Sequence, residues 1–179
     1  IDLGVHMIDL AIYLMGNPTP VAVSGATYNK FADDDAEASS EHAAFGETKA
    51  GGTFDVEDLA MGFIKFDNGA CLQIEFSWAS NIEEGDKNFV ELRGTKAGCK
   101  WINSGSEAKI FSEAFGNLID VDVNADRSVG GHEANLRHYV DVVLNGAKPD
   151  FVPQQGVNMI KILRAIYESA QTGKEVSLV

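Results

Sequence analysis

The chain has 179 residues, of which 45% are hydrophobic and 23% charged, and its formal net charge at pH 7 is −13. These values are ordinary for one globular domain with a full-sized core. The strong negative charge argues against a protein that binds nucleic-acid phosphates or an anionic membrane, and no apolar run reaches the length of a membrane span.

The opening segment IDLGVHMIDLAIYLMG predicts a helix. Gly16 suits a left-handed C-cap, and Pro18 prevents continuation. The helix is apolar nearly all round, which is typical of a buried helix. One polar stripe interrupts this pattern at helical spacing, formed by Asp2, His6, Asp9 and Tyr13. Because buried carboxylates and imidazoles need partners, the stripe is either a satisfied internal network or the wall of a site.

Alternating residues over Val21–Tyr28 predict the first strand, and a polar, acidic loop follows over 30–54. Two further alternating runs flank Asp67-Asn68-Gly69, which is a strong hairpin signal. Cys71 and Cys99 have no metal-binding spacing, so we expect reduced, buried or half-buried thiols. More strands are predicted at Phe89–Arg93, Cys99–Ile102, Ala108–Phe111 and Leu118–Val123.

The sequence returns to helix near its end. One helix is predicted over 134–145, and a second over 153–172, with Pro153 at its start and Gly173 as its C-cap. The segment EVSL predicts a last short strand. Consecutive hairpins indicate a mainly antiparallel sheet. With the helices packed on one face of one open sheet, the predicted fold class is a single α+β domain over residues 1–179.

Four segments, in order, resemble one protein family. Asp2-Leu3-Gly4-Val5-His6, with Asp9 and the following YLMG, is similar to the start of the C-terminal domain of the glucose–fructose oxidoreductase, inositol dehydrogenase and rhizopine catabolism (Gfo/Idh/MocA) family. VEDLAMGFIKFDNG at 56–69 resembles the family's strand pair, and ELRGTKAGCKWI at 91–102 resembles the hairpin after it. AIYESAQTGKEVSL at 165–178 resembles its closing helix and strand. The segments 30–54 and 103–130 match poorly.

The resemblance implies an N-terminal Rossmann domain that binds NAD or NADP, and we expect that domain to be absent from this chain. No G-x-G-x-x-G follows a strand here, and the family's Glu-Lys-Pro motif is missing. We therefore expect the substrate-binding and oligomerisation half of a cytoplasmic dehydrogenase that acts on a sugar, inositol or related secondary alcohol. The chain alone is expected to be inactive and to bind no cofactor. A non-catalytic sugar-binding or regulatory module, and an NAD-dependent glycoside hydrolase, remain as alternatives.

Oxidation of a secondary alcohol sends a hydride to the cofactor and a proton to a base. His6 fits this base by chemical type, and Asp2, one helical turn earlier, would hold its tautomer and stabilise its charged form. The resemblance implies the same pair working with a lysine outside this chain, and which group takes the proton stays open. We expect Asp9 to be structural and Tyr13 to lie in the core. His132 is either a helix-capping residue or a substrate contact, and no metal site is expected.

The predicted strands are apolar on both faces in places. The residues concerned are Met61, Phe63, Ile64, Phe66, Leu72, Ile74, Phe76 and Trp78. Because the helices cover only one side of an open sheet, the other side would expose an apolar patch. We therefore expect a homodimer or homotetramer formed through the open sheet face, which the resemblance also implies.

Overall fold

The computed structural model describes residues 2–30, 55–78, 80, 88–102, 107–124 and 128–179, so most of the predicted acidic loop lies outside the described residues. Within these ranges the helices are α1 (Gly4–Leu14), α2 (Gly131–Asn145) and α3 (Pro153–Thr172). The strands are β1 (Pro20–Tyr28), β2 (Leu59–Phe66), β3 (Cys71–Ser77), β4 (Phe89–Arg93), β5 (Gly98–Ile102), β6 (Glu107–Ala114), β7 (Asn117–Asp122) and β8 (Val176–Ser177). None of the helices in these ranges is long and apolar enough to cross a membrane.

The strands form two antiparallel four-stranded sheets. Sheet 1 has the order β3-β2-β1-β8 and sheet 2 the order β4-β5-β6-β7. This arrangement confirms the α+β class. The sequence predicts one open sheet, but the described strands form two. Strands β3 and β4 are each at the edge of their own sheet, and no ladder joins them.

The β2–β3 turn and the β6–β7 turn each contain residues with positive φ. The predicted turn between β2 and β3 has Gly69 at φ +84°, and Phe66 N–H donates to the carbonyl of Ala70 across it at 3.0 Å. The turn between β6 and β7 places Phe115 at φ +54° and Gly116 at φ +74°. Because a bulky residue rarely has positive φ, Phe115 gives no turn signal in the sequence. The predicted strand therefore ends at Phe111, whereas β6 continues to Ala114.

The core lies between sheet 1 and the helices α1 and α3. Its buried residues come from both helices and from three strands: Ile8, Ile12, Val23, Ile64, Phe66, Ile74, Met159, Ile162, Leu163, Ala165 and Ile166. Helix α3 crosses β1 closely, because a Cβ built on Gly25 would lie only 3.0 Å from Cγ2 of Ile166. At the same crossing Gly25 N–H donates to Oγ of the buried Ser169 at 2.9 Å.

Helix α1 is amphipathic, whereas the sequence predicts a helix that is buried nearly all round. Its buried residues are Gly4, Ile8, Ala11 and Ile12. The predicted C-cap is confirmed: Gly16 has φ +84°, and Asn17 N–H donates to the carbonyl of Ile12 at 2.9 Å, which is the signature of a Schellman motif. Tyr13 is 57% exposed, so its predicted place in the core is wrong.

Helix α2 begins at Gly131, three residues before its predicted start, and none of its residues is buried. Five of its large apolar side chains are more than half exposed: Leu136, Tyr139, Val140, Val143 and Leu144. Val142 is half-buried. The prediction that helices pack on the sheet therefore holds for α1 and α3 and not for α2. A helix buries its apolar stripe only where a neighbouring element offers a matching surface.

The two cysteines are free thiols. Cys99 is half-buried, as predicted, but Cys71 is exposed. Cys71 pairs with the exposed Lys65 on β2, and the next residue along β3, Leu72, turns toward the core. Because side chains alternate along a strand, the buried position of Leu72 places Cys71 on the outer face.

Candidate functional site

The polar stripe of α1 lies on the exposed face of the helix. Asp2, His6, Asp9 and Tyr13 are all exposed, opposite the face that carries Ile8 into the core. Leu3 has helical dihedral angles, φ −83° and ψ −44°, although it precedes the first helical residue. The backbone therefore keeps Asp2 about one turn before His6. Because all four side chains are exposed, the interpretation of the stripe as a buried internal network is wrong, and the wall of a site stays a prediction.

The structure brings Asp2 and His6 onto one turn but does not join them. Within the described part of the chain, neither side chain forms a hydrogen bond or an ion pair. Both ring nitrogens of an exposed imidazole are open to a ligand from outside the chain. The arrangement can accept or donate a proton at the surface of the domain.

Asp9 lies at a shallow crevice between the end of α1 and the start of α3. Asn17, Gln155 and Asn158 also line this crevice. Asp9 is exposed and forms no hydrogen bond or ion pair in the described part of the chain, so the structure shows no tie from Asp9 to the sheet, and a tie to a domain outside this chain stays a prediction.

His132 lies in the first turn of α2 and is exposed. The N-cap residue is Gly130, and no side chain caps the helix, so the capping role considered for His132 is not observed. No extended packing contact between α1 and α2 is present among the described elements, and the structure does not bring His132 together with His6. Glu133 pairs with Arg137 at 2.5 Å on the same helix.

Sequence reasoning missed the residues that support the first turn of α1. A Cβ built on Gly4 would lie 2.7 Å from Cδ2 of Phe76 on β3, so helix and strand are in close contact at this point. Asp2 and His6 each lie two residues from Gly4. The sequence places Gly4 at a helix start, but the partner 72 positions away carries no local signal.

A second support joins the strand ends of sheet 1. Asp58 is 1% exposed, and its Oδ2 accepts a hydrogen bond from Lys30 N–H at 2.6 Å. Its backbone N–H donates to the carbonyl of Tyr28, and its own carbonyl accepts from Oγ of Ser77, both at 2.9 Å. Asp58 thus links the end of β1 to β2 and β3. The only sequence signal is an acidic pair just before an apolar strand.

The described residues form no parallel βαβ unit that could bind the phosphates of a dinucleotide. Every strand pair in the described ranges is antiparallel, whereas dinucleotide phosphates are bound at a helix that follows a strand in a parallel βαβ unit. Among the same residues, no group of three or more His, Cys, Asp or Glu side chains is placed to hold a metal ion.

Comparison with known proteins gives the family. The family described as "Oxidoreductase family, C-terminal alpha/beta domain" (GFO_IDH_MocA_C) matches residues 1–178. D-glucoside 3-dehydrogenase of Escherichia coli (strain K12) is 30% identical over 180 residues, which is 99% of this chain and 48% of that protein. A putative UDP-kanosamine synthase oxidoreductase subunit of Amycolatopsis mediterranei (strain S699) is 33% identical over 95 residues, or 52% of this chain and 25% of that protein. The chain spans about half the length of the first relative.

Solved structures share the fold. Aldose-aldose oxidoreductase from Caulobacter crescentus, complexed with glycerol, has a TM-score of 0.71 at 22% identity, covering 98% of this chain and 46% of that one. Levoglucosan dehydrogenase, in complex with NADH and L-sorbose, has a TM-score of 0.72 at 20% identity, covering 99% and 49%. The chain therefore belongs to the Gfo/Idh/MocA oxidoreductase family and matches its C-terminal α/β domain.

Proposed function

We propose that this chain is the substrate-binding half of a cytoplasmic NAD(P)-dependent oxidoreductase that acts on a sugar, inositol or related secondary alcohol. The observation that carries the proposal is the exposed turn of α1, on which Asp2 and His6 stand about one turn apart on a helix anchored in the core. The relatives support it, since one is a D-glucoside 3-dehydrogenase and another was solved with NADH and L-sorbose.

In this proposal His6 holds the proton that leaves the substrate hydroxyl. Imidazole is the side chain whose ordinary titration lies closest to neutral pH, so it exchanges a proton readily under working conditions. Asp2 orients the imidazole and stabilises its protonated form once substrate is bound. NAD or NADP, held outside this chain, would supply the acceptor for the hydride that leaves the carbinol carbon as the alcohol becomes a carbonyl.

The cofactor is proposed to bind outside this chain. The described residues contain no parallel βαβ unit, so they do not fit the phosphates of a dinucleotide. We place NAD or NADP on a Rossmann domain that precedes residue 1 in the whole protein, together with a lysine that completes the site. The exposed stripe of α1 would then form one wall of a cleft between two domains, where ligand sites commonly lie.

The partner proposed for sheet 1 is a second copy of the chain. On the outer face of the sheet, Tyr28, Met61 and Phe63 are 43%, 37% and 41% exposed. They form one apolar stripe across β1 and β2, because the register pairs Tyr28 with Leu59 beside Met61 and Phe63. The outer residues of β3 are polar, including Gln73 and Glu75, so the contact would be centred on β2. Homodimers and homotetramers both accommodate such a contact.

The experiment is steady-state kinetics of the full-length protein. Reduction of NAD or NADP would be followed with D-glucosides, inositols and simple sugars as substrates. In His6→Ala we expect kcat to fall by about 10²-fold or more, since this is the usual contribution of general-base catalysis. The matched control is His138→Ala on α2, which should keep normal turnover.

Two outcomes would favour the alternatives. Sugar binding without any nicotinamide reduction would identify a binding or regulatory module. Cleavage of a glycoside that requires NAD but leaves no net NADH would identify a glycoside hydrolase. Normal turnover in His6→Ala would remove His6 from the mechanism.

A further inference from the structure

Helix α1 lies close to sheet 1 at Gly4. A Cβ built on this residue would lie 2.7 Å from Cδ2, 3.0 Å from Cγ and 3.1 Å from Cε2 of Phe76. Side-chain carbons do not approach one another at such distances. Gly4 is a helical residue and is absent from the positive-φ positions, so any residue could adopt its backbone conformation. Contact with the ring, and not backbone geometry, therefore requires glycine here.

The Phe76 ring has little freedom to move away. Phe76 is partly buried and packs against the core cluster of sheet 1. Its backbone is held in the ladder between β2 and β3, where it pairs with Ala60. A methyl group on Gly4 would therefore displace the first turn of α1, the ring, or both.

The remainder of α1 is fixed independently of this contact. Ile8, Ala11 and Ile12 are buried, and the Schellman motif at Gly16 holds the far end. A disturbance at Gly4 would thus be confined to the first turn. That turn carries Asp2 and His6, each two residues from Gly4.

We infer that the contact between Gly4 and Phe76 is a positioning device that sets the height of the first turn of α1 on the sheet, and with it the placement of Asp2 and His6. The inference rests on the proposed function of these two residues. Gly4 and Phe76 touch neither substrate nor cofactor in this scheme and are positioning residues. A displacement of about 1 Å in a reacting group can lower a rate by about 10²-fold, so a contact of this kind can control turnover.

The test is a two-residue cycle in the full-length protein. We expect Gly4→Ala to lower kcat by about tenfold or more with an unchanged affinity for the nucleotide. Phe76→Leu replaces the flat ring by a shorter, branched side chain that lacks Cε2 and can turn its δ carbons away from the new methyl group in another rotamer. In the double variant Gly4→Ala/Phe76→Leu, kcat should return to within about threefold of Phe76→Leu alone, because neighbouring substitutions that share one contact are not additive.

The matched control is Gly156→Ala on α3. Gly156 is also a helical glycine, and its built Cβ would meet only the ring tip of the exposed Phe151, at 3.3 Å. This variant should keep kcat. Thermal unfolding separates positioning from general damage, because the overpacking is confined to the first turn of α1 and the helix preference of alanine partly offsets it. The unfolding midpoint of Gly4→Ala should therefore fall only slightly, while kcat falls at temperatures well below that midpoint.

The outcomes distinguish the two proposals. Unchanged kcat in Gly4→Ala, with turnover lost in His6→Ala, would overturn the positioning role alone. Failure of Phe76→Leu to restore the double variant would overturn it as well. Normal turnover in His6→Ala would overturn the proposed function and the positioning role together. As a readout independent of turnover, the imidazole carbon resonances of His6 should shift in Gly4→Ala and not in Gly156→Ala.

Discussion

Tyr167 on α3 donates a hydrogen bond to Glu57, 110 residues earlier in the chain, with 2.6 Å between Oη and Oε2. Burial, together with the hydrogen bond and the charge of Glu57, raises the pKa of Tyr167 above its ordinary value of 10.0. The pair ties the middle of α3 to the segment that enters β2. It therefore links the helix layer to sheet 1 through a bond that depends on pH.

Replacing Tyr167 should change the alkaline stability of the domain. Below pH 10 both folded and unfolded chains keep the phenolic proton, so the stability that Tyr167 contributes is fully present and does not change with pH. Above pH 10 the unfolded chain releases the proton and the folded chain retains it, so stability falls as pH rises. In Tyr167→Phe that fall should be shallower between pH 9 and 11, measured by urea unfolding, and stability at pH 8 should drop by about 1–2 kcal/mol. Equal pH slopes in Tyr167→Phe and in the control Tyr139→Phe, an exposed tyrosine of α2, would contradict this account.

Gly25→Ala should destabilise the domain strongly. The new Cβ would lie 3.0 to 3.2 Å from Cγ2, Cα and the carbonyl oxygen of Ile166, and two of these atoms belong to the backbone of α3. Backbone atoms of a packed helix do not yield easily, so the free energy of unfolding should fall by about 1–3 kcal/mol. Gly131→Ala is the control, because its Cβ would meet nothing within 4 Å. A Gly25→Ala protein as stable as Gly131→Ala would show that α3 moves away freely.

The isolated chain should bind neither NAD nor NADP. The described strands form only antiparallel sheets, and no phosphate-binding loop of the βαβ type is present in the described ranges. Calorimetric titration of the 179-residue chain should give no heat of binding at micromolar concentrations, while the full-length protein binds one of the two nucleotides. Micromolar binding by the isolated chain would place the cofactor site within it.

Asp2→Asn should do less harm than His6→Ala in the full-length protein. Asp2 is proposed to orient the imidazole and to stabilise its charge, whereas His6 is proposed to hold the transferred proton. In steady-state kinetics we expect a smaller loss of kcat in Asp2→Asn than in His6→Ala, because the imidazole that receives the proton is still present in Asp2→Asn. A loss in Asp2→Asn as large as that in His6→Ala would contradict this division of roles.

Phe63→Glu should weaken self-association. Phe63 lies in the apolar stripe on the outer face of sheet 1, where a carboxylate would have to be buried against a second copy. Sedimentation of the full-length protein should show a shift toward monomer. Phe111→Glu is the control, since Phe111 is similarly exposed, at 37%, but lies on sheet 2. A dimer that persists in Phe63→Glu would exclude this face.

Features encoded by neighbouring residues were predictable from the sequence. The C-caps at Gly16 and Gly173, and the β2–β3 turn at Gly69, follow from glycine at the end of a periodic run, and the structure confirms each. Strand β4 agrees with its predicted bounds because its alternation is regular. The candidate site was predictable in part for the same reason, since the spacing of Asp2 and His6 is local.

Features that depend on distant contacts were not predictable. The exposure of Tyr13 and the lack of burial in α2 depend on which surfaces other elements present. The pairing of Gly4 with Phe76, and of Glu57 with Tyr167, joins residues far apart in the chain. Periodicity shows which face of an element is apolar, but it does not show what that face meets.

The hydrogen bond from Gly25 to Ser169 also protects an edge of sheet 1. Strand β8 pairs with β1 at Ala22 and Val23, and within the described ranges no other strand pairs with the rest of that edge. An open edge is a template on which other chains can add strands and aggregate. Here Gly25 N–H, the next backbone donor on this edge of β1, donates to Oγ of Ser169, and α3 packs closely against Gly25. Helix α3 thus covers the edge of β1 beyond the point where the two-residue strand β8 ends.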